Sequence, residues 1–235
     1  MFPTLHTNQA LPPLLELDSA ENRPFDSSIT ERNPKDVAYI FSLLRRALLA
    51  SKSPEAQYSL LHDADCSILR YLSLERDTRS DIVKRTLALV LAAHVFMYAT
   101  LRHVPPKSTL MRRMVTRLQH TMEESLAAGN MWVSRKPALM WIAFIGILGV
   151  GVAEVSTEGQ WFSSFFESAA CADSGANCVL GDCDVREILS AFLWDEGYCQ
   201  PVLAAALKQH ALTHRSPGSL SSGLGNMFEE YASHC

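Results

Sequence analysis

Four of the six cysteines, Cys171, Cys178, Cys183 and Cys199, fall in one short stretch with the spacing C-x6-C-x4-C-x15-C. Clustered thiols suggest a zinc site, but structural zinc sites are built on C-x2–4-C pairs, and only Cys178–Cys183 comes near. Loop cysteines plus one helix cysteine is the simpler expectation, so no metal ligand is assigned. His62, Asp63, Asp65 and Cys66 lie together, and Cys66 is four residues from His62. On a helix such a pair shares a face. A Cys–His pair can make a nucleophilic thiolate, but nothing else in the chain supports covalent catalysis. His94 sits within LALVLAAHVFMYATL. An imidazole in so apolar a helix is expected to be buried and hydrogen-bonded to a neighbour rather than to act as a base or metal ligand. G-x-S-x-G, G-x-x-x-x-G-K-[ST] and H-E-x-x-H are absent, which removes the common serine-hydrolase, P-loop and zincin signatures. No catalytic residue and no cofactor are assigned.

Charge is divided unevenly. Residues 1–136 sum to +4 and residues 137–235 to −8, within a net charge of −4. Between Arg79 and Arg117 stand eight basic residues, among them Arg102, Lys107, Arg112, Arg113 and Arg117, against one acid, Asp81. A solvated helix face is expected there. A nucleic-acid surface is the alternative, but no aromatic residues interleave with the charges as stacking requires. The first residues, MFPTLHTNQALPPLLELDS, lack the basic stretch and unbroken apolar run of a secretory leader, so disulfides are not expected.

The elements that must hold these groups read as helices throughout. An apolar fraction of 48% and a charged fraction of 20% are ordinary for a globular protein. Residues 1–35, broken by Pro3, Pro12, Pro13, Pro24 and Pro34, read as an irregular segment. Residues 36–215 read as one helical domain, and residues 216–235 as a flexible connection with a short tail helix. Pro34 opens the first helix, with stripe Val37, Ile40, Phe41, Leu44, Leu48. Ser53-Pro54 opens the second, with stripe Tyr58, Leu61, Ala64/Asp65, Ile68, Leu69, Leu72. Ser80 is expected to cap the third, which runs to about His103 before Pro105-Pro106. The fourth starts at Ser108 or Thr109 with Leu110, Met114, Leu118 and Met122, widened by Met111, Val115 and Leu126, and closes at Gly129-Asn130.

The centre is expected at residues 137–154, where sixteen successive residues from Ala138 to Ala153 are apolar or Gly. That is shorter than the roughly 20 residues needed to cross a bilayer. It reads as a helix buried on all sides, with Gly146, Gly149 and Gly151 inside it for close helix contact. Beyond it come an aromatic helix from Glu158 to about Ala172, a loop, a helix capped by Asp182 or Asp184 with Val185, Ile188, Leu189, Phe192 and Leu193, and a last helix with Pro201 near its start, to about His214. No alternating run bounded by turn residues appears. The fold class is all-α, a single domain of about eight or nine helices around the buried one. A core lined by Met97, Met111, Met114, Met122 and Met140 could also open to a small apolar ligand.

Four stretches then follow in order: LAAHVFMYATLRHVPPKSTLMRRMVTRLQHTM, KPALMWIAFIGILGV, EGQWFSSFFES and DVREILSAFLWDEGYCQPV. Over about residues 80–202 this succession resembles the C-terminal regulatory region of fungal transcription factors of the binuclear zinc-cluster class. The resemblance implies an all-helical domain in the nucleus that regulates transcription through ligand response, dimerisation or coregulator contact. Family members carry two C-x2-C-x6-C halves that bind DNA, and this sequence has neither, so direct sequence-specific DNA binding is not expected of it. A truncated paralogue, an excised domain or a missing first exon would each account for that. A protein partner, either a coregulator or a second copy, is expected. An enzyme of secondary metabolism with an apolar pocket is the first alternative. A small helical membrane protein, with Leu87–Leu101 and Ala138–Ala153 flanked by Arg102 and Lys136, is the second, and membrane insertion is the least favoured of the three.

Overall fold

The computed structural model describes residues 34–73, 81–127, 136–151, 156–171 and 182–215. These form eight α-helices: α1 (Pro34–Leu49), α2 (Pro54–Ser73), α3 (Asp81–Phe96), α4 (Thr109–Ala127), α5 (Lys136–Val150), α6 (Thr157–Cys171), α7 (Asp182–Ser190) and α8 (Glu196–Arg215). A 3-10 turn, Ala50–Lys52, joins α1 to α2, and a π turn, Met97–Leu101, extends α3. The described residues hold no strand. The expected caps Ser80 and Gly129-Asn130, the loop after Cys171 and the tail helix lie outside the described residues.

α5 is the centre. Every residue from Ala138 to Val150 is buried, because no position in this run is polar and the helix therefore has no face to give to water. Its neighbours are α6 on one side, α3 and α4 on another, and α7 and α8 at one end. Two glycines set how closely they approach. A Cβ on Gly146 would collide with the ring of Phe162 on α6. A Cβ on Gly149 would stand 2.7 Å from Val115 Cγ2 on α4 and 2.8 Å from Val95 Cγ1 on α3. The expectation that these glycines serve close packing holds for both. Gly151 is different. The helix ends before it, and it takes φ +86°, the left-handed conformation that lets its N–H reach back 2.9 Å to the carbonyl of Ile147. No described helix is long and apolar enough to cross a membrane.

An aromatic seam locks the end of α7 to the centre. Trp141 on α5 stacks on Phe192 with centroids 5.3 Å apart and touches Phe41 of α1 at 5.5 Å. Its indole N–H donates to the carbonyl of Leu193 at 3.2 Å. Arg45 on α1 donates to the carbonyls of Ala191, at 2.9 Å, and Phe192, at 3.1 and 3.2 Å. Together they satisfy three successive carbonyls, of Ala191, Phe192 and Leu193, in the turn that follows α7. Phe192 and Leu193 are buried as the periodicity predicts, although they lie in the turn after the helix.

Several expectations are corrected. Tyr58 and Leu69 are exposed, whereas Leu61, Ala64, Ile68 and Leu72 of the expected stripe are buried and Tyr71 joins them. That set keeps one helical phase, whereas Tyr58 and Leu69 fall outside it. Leu110 is exposed for the same reason, while Met111, Val115, Leu118 and Met122 are buried. Pro201 lies near the start of the last helix, as expected, and is the sixth residue of α8. The carbonyl it leaves without an N–H partner belongs to Gly197, four residues earlier, where no side chain crowds the turn.

Candidate functional site

Asp65 lies at the edge of the buried stripe of α2, next to Ala64, and this half-buried position turns its carboxylate toward α3. His94, Tyr98 and Arg102 follow at intervals of four and present successive side chains to it. The Asp65 Oδ1 accepts from His94 Nε2 at 3.3 Å. Oδ2 accepts from the Tyr98 hydroxyl at 3.2 Å and from Arg102 Nη2 at 2.9 Å. The rings reinforce this grouping. His94 meets Tyr98 edge-on with centroids 4.9 Å apart, and the Arg102 guanidinium lies 5.0 Å from the centre of the Tyr98 ring.

The π turn makes the alignment. Arg102 N–H bonds to the carbonyl of Met97, five residues back, at 3.0 Å, and the Thr100 hydroxyl takes the carbonyl of Phe96 at 2.7 Å. The wider turn carries the chain into His103, which adopts φ +52°. The His103 ring stacks on Tyr198 of α8, and Nδ1 lies 2.6 Å from the Tyr198 hydroxyl. One irregular turn thus serves two side-chain groups.

Burial lowers the pKa of His94 below its ordinary value, partly offset by the Asp65 carboxylate, which favours the charged ring. Burial first, and then Asp65, raises the pKa of Tyr98. A neutral imidazole oriented by a carboxylate is what a general base requires. Here, however, the carboxylate already accepts from three donors, and the four side chains close on one another. The group ties α2 to α3. Charge-assisted hydrogen bonds of this kind contribute about 1.5–3 kcal/mol each when well shielded, and less for the partly exposed Arg102.

His94 therefore has a hydrogen-bonded neighbour, as expected from its setting. His62 does not join it. Its partner is Cys66, at 3.7 Å on the exposed face of α2. Cys199 is buried, and burial pushes its thiol up to about 12, which makes it a poor nucleophile at neutral pH. Cys178 and the side chains of Cys171 and Cys183 lie outside the described residues. Among the described residues no three His, Cys, Asp or Glu are grouped to hold a metal. Met97, Met111, Met122 and Met140 are core residues, and Met114 is partly buried.

A concave surface lies elsewhere. An open groove of about 700 Å3 runs along the outer face of α4, lined among others by Arg112, Arg113, Arg117, His120 and Glu124, with Glu158 from the first turn of α6. Positions 109, 112, 113, 116, 117, 120, 121 and 124 supply the α4 wall, a helical stripe next to the buried one. His120 Nδ1 pairs with Glu124 at 3.3 Å. The Glu158 carboxyl is held below its usual range, chiefly by its own backbone N–H and then by the hydroxyls of Thr157 and Ser156 and the charge of Arg112. The basic run thus lies on a solvated face, as expected for Arg102, Lys107, Arg112, Arg113 and Arg117. The sequence names these residues but does not show that they wall a groove, because Glu158 comes from a distant helix. Tyr98 and Arg102 were legible only as an i, i+4, i+8 series with His94.

The chain matches no family model, no curated protein and no solved structure.

Proposed function

We propose that this chain is a helical regulatory domain of the transcription-regulator type, acting in the nucleus through protein contacts. The observation that carries the reading is the charged groove on α4, an external, open surface suited to a macromolecular partner. Two features support it. The polar group around His94 is closed on itself, and the sequence stretches that resemble the fungal regulatory region supply α3 to α8.

The test is tethering. The full chain is fused to a heterologous DNA-binding domain and directed to a reporter promoter in a fungal host. The expected result is a several-fold change in reporter output, reduced when Arg112 and Arg113 are both replaced by Glu. A fusion that is folded, nuclear and bound at the promoter but leaves output unchanged refutes the reading.

A helical enzyme is the second reading, and the Asp65–His94 contact is what favours it. Turnover of an apolar substrate that disappears in His94→Ala, with folding retained, would establish it.

A further inference from the structure

We propose that His62 and Cys66 on α2 are half of a zinc site that a second copy of this chain completes. The two lie four apart on the exposed side of the helix, with His62 Nε2 3.7 Å from Cys66 Sγ. Zinc binds imidazole nitrogen at about 2.0–2.1 Å and thiolate sulfur at about 2.3 Å, so in a tetrahedral site two such ligands stand about 3.5–3.6 Å apart. The pair already has nearly the spacing of one edge of that tetrahedron. A set of two sulfurs and two nitrogens suits zinc rather than the harder divalent cations. One chain supplies only two of the four ligands. Asp65 is turned toward α3 and held by His94, Tyr98 and Arg102. Among the described residues no third metal-binding side chain joins the pair. A two-fold axis through the ion supplies the rest, because it sets the same pair from a second copy on the opposite side.

The surroundings of the pair favour a second copy over a bare surface chelate. Tyr58 and Leu69 are 74% and 54% exposed. They are eleven residues apart, within about 20° of a whole number of helical turns. They therefore line up along one stripe, with His62 between them and Cys66 at its edge. Tyr58 stands about 9 Å before the midpoint of the pair along the axis, and Leu69 about 7.5 Å after it. With the two helices antiparallel across the axis, the Tyr58 end of one α2 faces the Leu69 end of the other, and both apolar side chains leave water. A thiol–imidazole hydrogen bond alone accounts for the 3.7 Å separation. It does not account for a large apolar side chain on either side of it. Zinc takes each Cys66 as a thiolate, with the proton released to solvent, and each His62 as a neutral imidazole. One ion thus releases two protons, and the two thiolates cancel its charge. The site stands independently of the regulatory reading above.

The experiment uses the full chain, kept reduced, and zinc alone as the probe. Sedimentation velocity follows the mass in EDTA and then as zinc is added. The expected result is a monomer in EDTA and a dimer in zinc. Cobalt in place of zinc should give the visible absorption of a tetrahedral ion and the ultraviolet band of a thiolate-bound one. His62→Ala and Cys66→Ser should each leave the chain monomeric in zinc. Each should also lower the bound metal by one ion per two chains, which separates this site from any held by the other cysteines. Both side chains are exposed, so the variants fold, and circular dichroism verifies it. Tyr58→Asp combined with Leu69→Asp keeps the ligands and should raise the dimer dissociation constant about tenfold or more. Overturning results are a dimer that persists in EDTA, a dimer that forms only without reductant, which would be a disulfide, a zinc-dependent dimer unchanged by His62→Ala or Cys66→Ser, or zinc held by the pair in a chain that stays monomeric.

Discussion

Replacing Gly146 by Ala on α5 should destabilise the protein even though Ala is the better helix former. Two effects oppose each other. In a helix interior Ala is favoured over Gly by about 1 kcal/mol. Against this, the new Cβ would occupy space held by three atoms of the Phe162 ring. Phe162 is completely buried, so the ring cannot swing to solvent, and α5 and α6 must separate or the ring must leave its rotamer. Overpacking a close-packed core costs about 1–3 kcal/mol, and a ring clash between two central helices belongs at the upper end. The balance is a loss of about 2 kcal/mol, or roughly 4–8 °C in Tm for a chain of this size. Urea unfolding followed by circular dichroism would read it as a lower midpoint at unchanged slope. The clash account makes a second demand. Phe162→Leu removes the offending ring atoms and alone costs about 1–2 kcal/mol through the cavity it leaves. In the double variant the two costs should not add, with a coupling of at least about 1 kcal/mol in the relieving direction. Gly146→Ala at wild-type stability, or strict additivity with Phe162→Leu, would refute the argument that this glycine sets the α5–α6 distance.

Asp65→Asn should cost about 1–2 kcal/mol, because Arg102 and Tyr98 lose a charged acceptor; combining it with Arg102→Met should cost less than the sum of the two single variants. His94 gives a pH signature. Its folded pKa lies below the ordinary 6.5, so the unfolded chain binds the proton more readily and stability falls as pH drops from about 7 through 6.5 toward the depressed folded value. In His94→Gln that part of the decline should disappear, and in Asp65→Asn, where the carboxylate no longer favours the charged ring, it should steepen; a decline identical in wild type and His94→Gln would contradict the assignment. Iodoacetamide at neutral pH should alkylate exposed Cys66 well before buried Cys199, with peptide mass mapping to follow each site and urea to make Cys199 react.

The sequence made the centre of the fold legible because α5 is apolar on every side, which leaves it only one place to be. The starts of α1, α2 and α4 were legible from Pro34, Pro54 and Ser108, and the Ser108 hydroxyl indeed accepts the N–H of Met111 at 3.1 Å. What the pattern could not resolve was phase. Tyr58, Leu69 and Leu110 are apolar and adjacent to buried positions, yet one residue of helix turns a side chain by about 100°, enough to face water. The site was less legible than the fold. The type and burial of His94 were readable, but its partner Asp65 lies 29 residues away on another helix, and the π turn that lines up Tyr98 and Arg102 has no composition of its own. Arg45, in the midst of the apolar residues of α1, is the clearest omission. A cation there signals a distant acceptor but does not say which one.

That acceptor also sets an order of events during synthesis. Arg45 is made early, and the carbonyls it holds belong to residues 146 and 147 positions later. At about 5–20 residues per second a ribosome needs roughly 7 to 30 s to bridge that interval. For all that time the guanidinium must stay hydrated while the neighbouring α1 residues Phe41 and Leu44 bury themselves, and Trp141 arrives before the Leu193 carbonyl it caps. The start of the domain is thus fastened by the turn between α7 and α8. A chain stalled or cut just before Ala191 would hold α1 to α7 but leave a charged side chain and an indole N–H facing a vacant seam, a surface that a quality-control protease or chaperone can recognise.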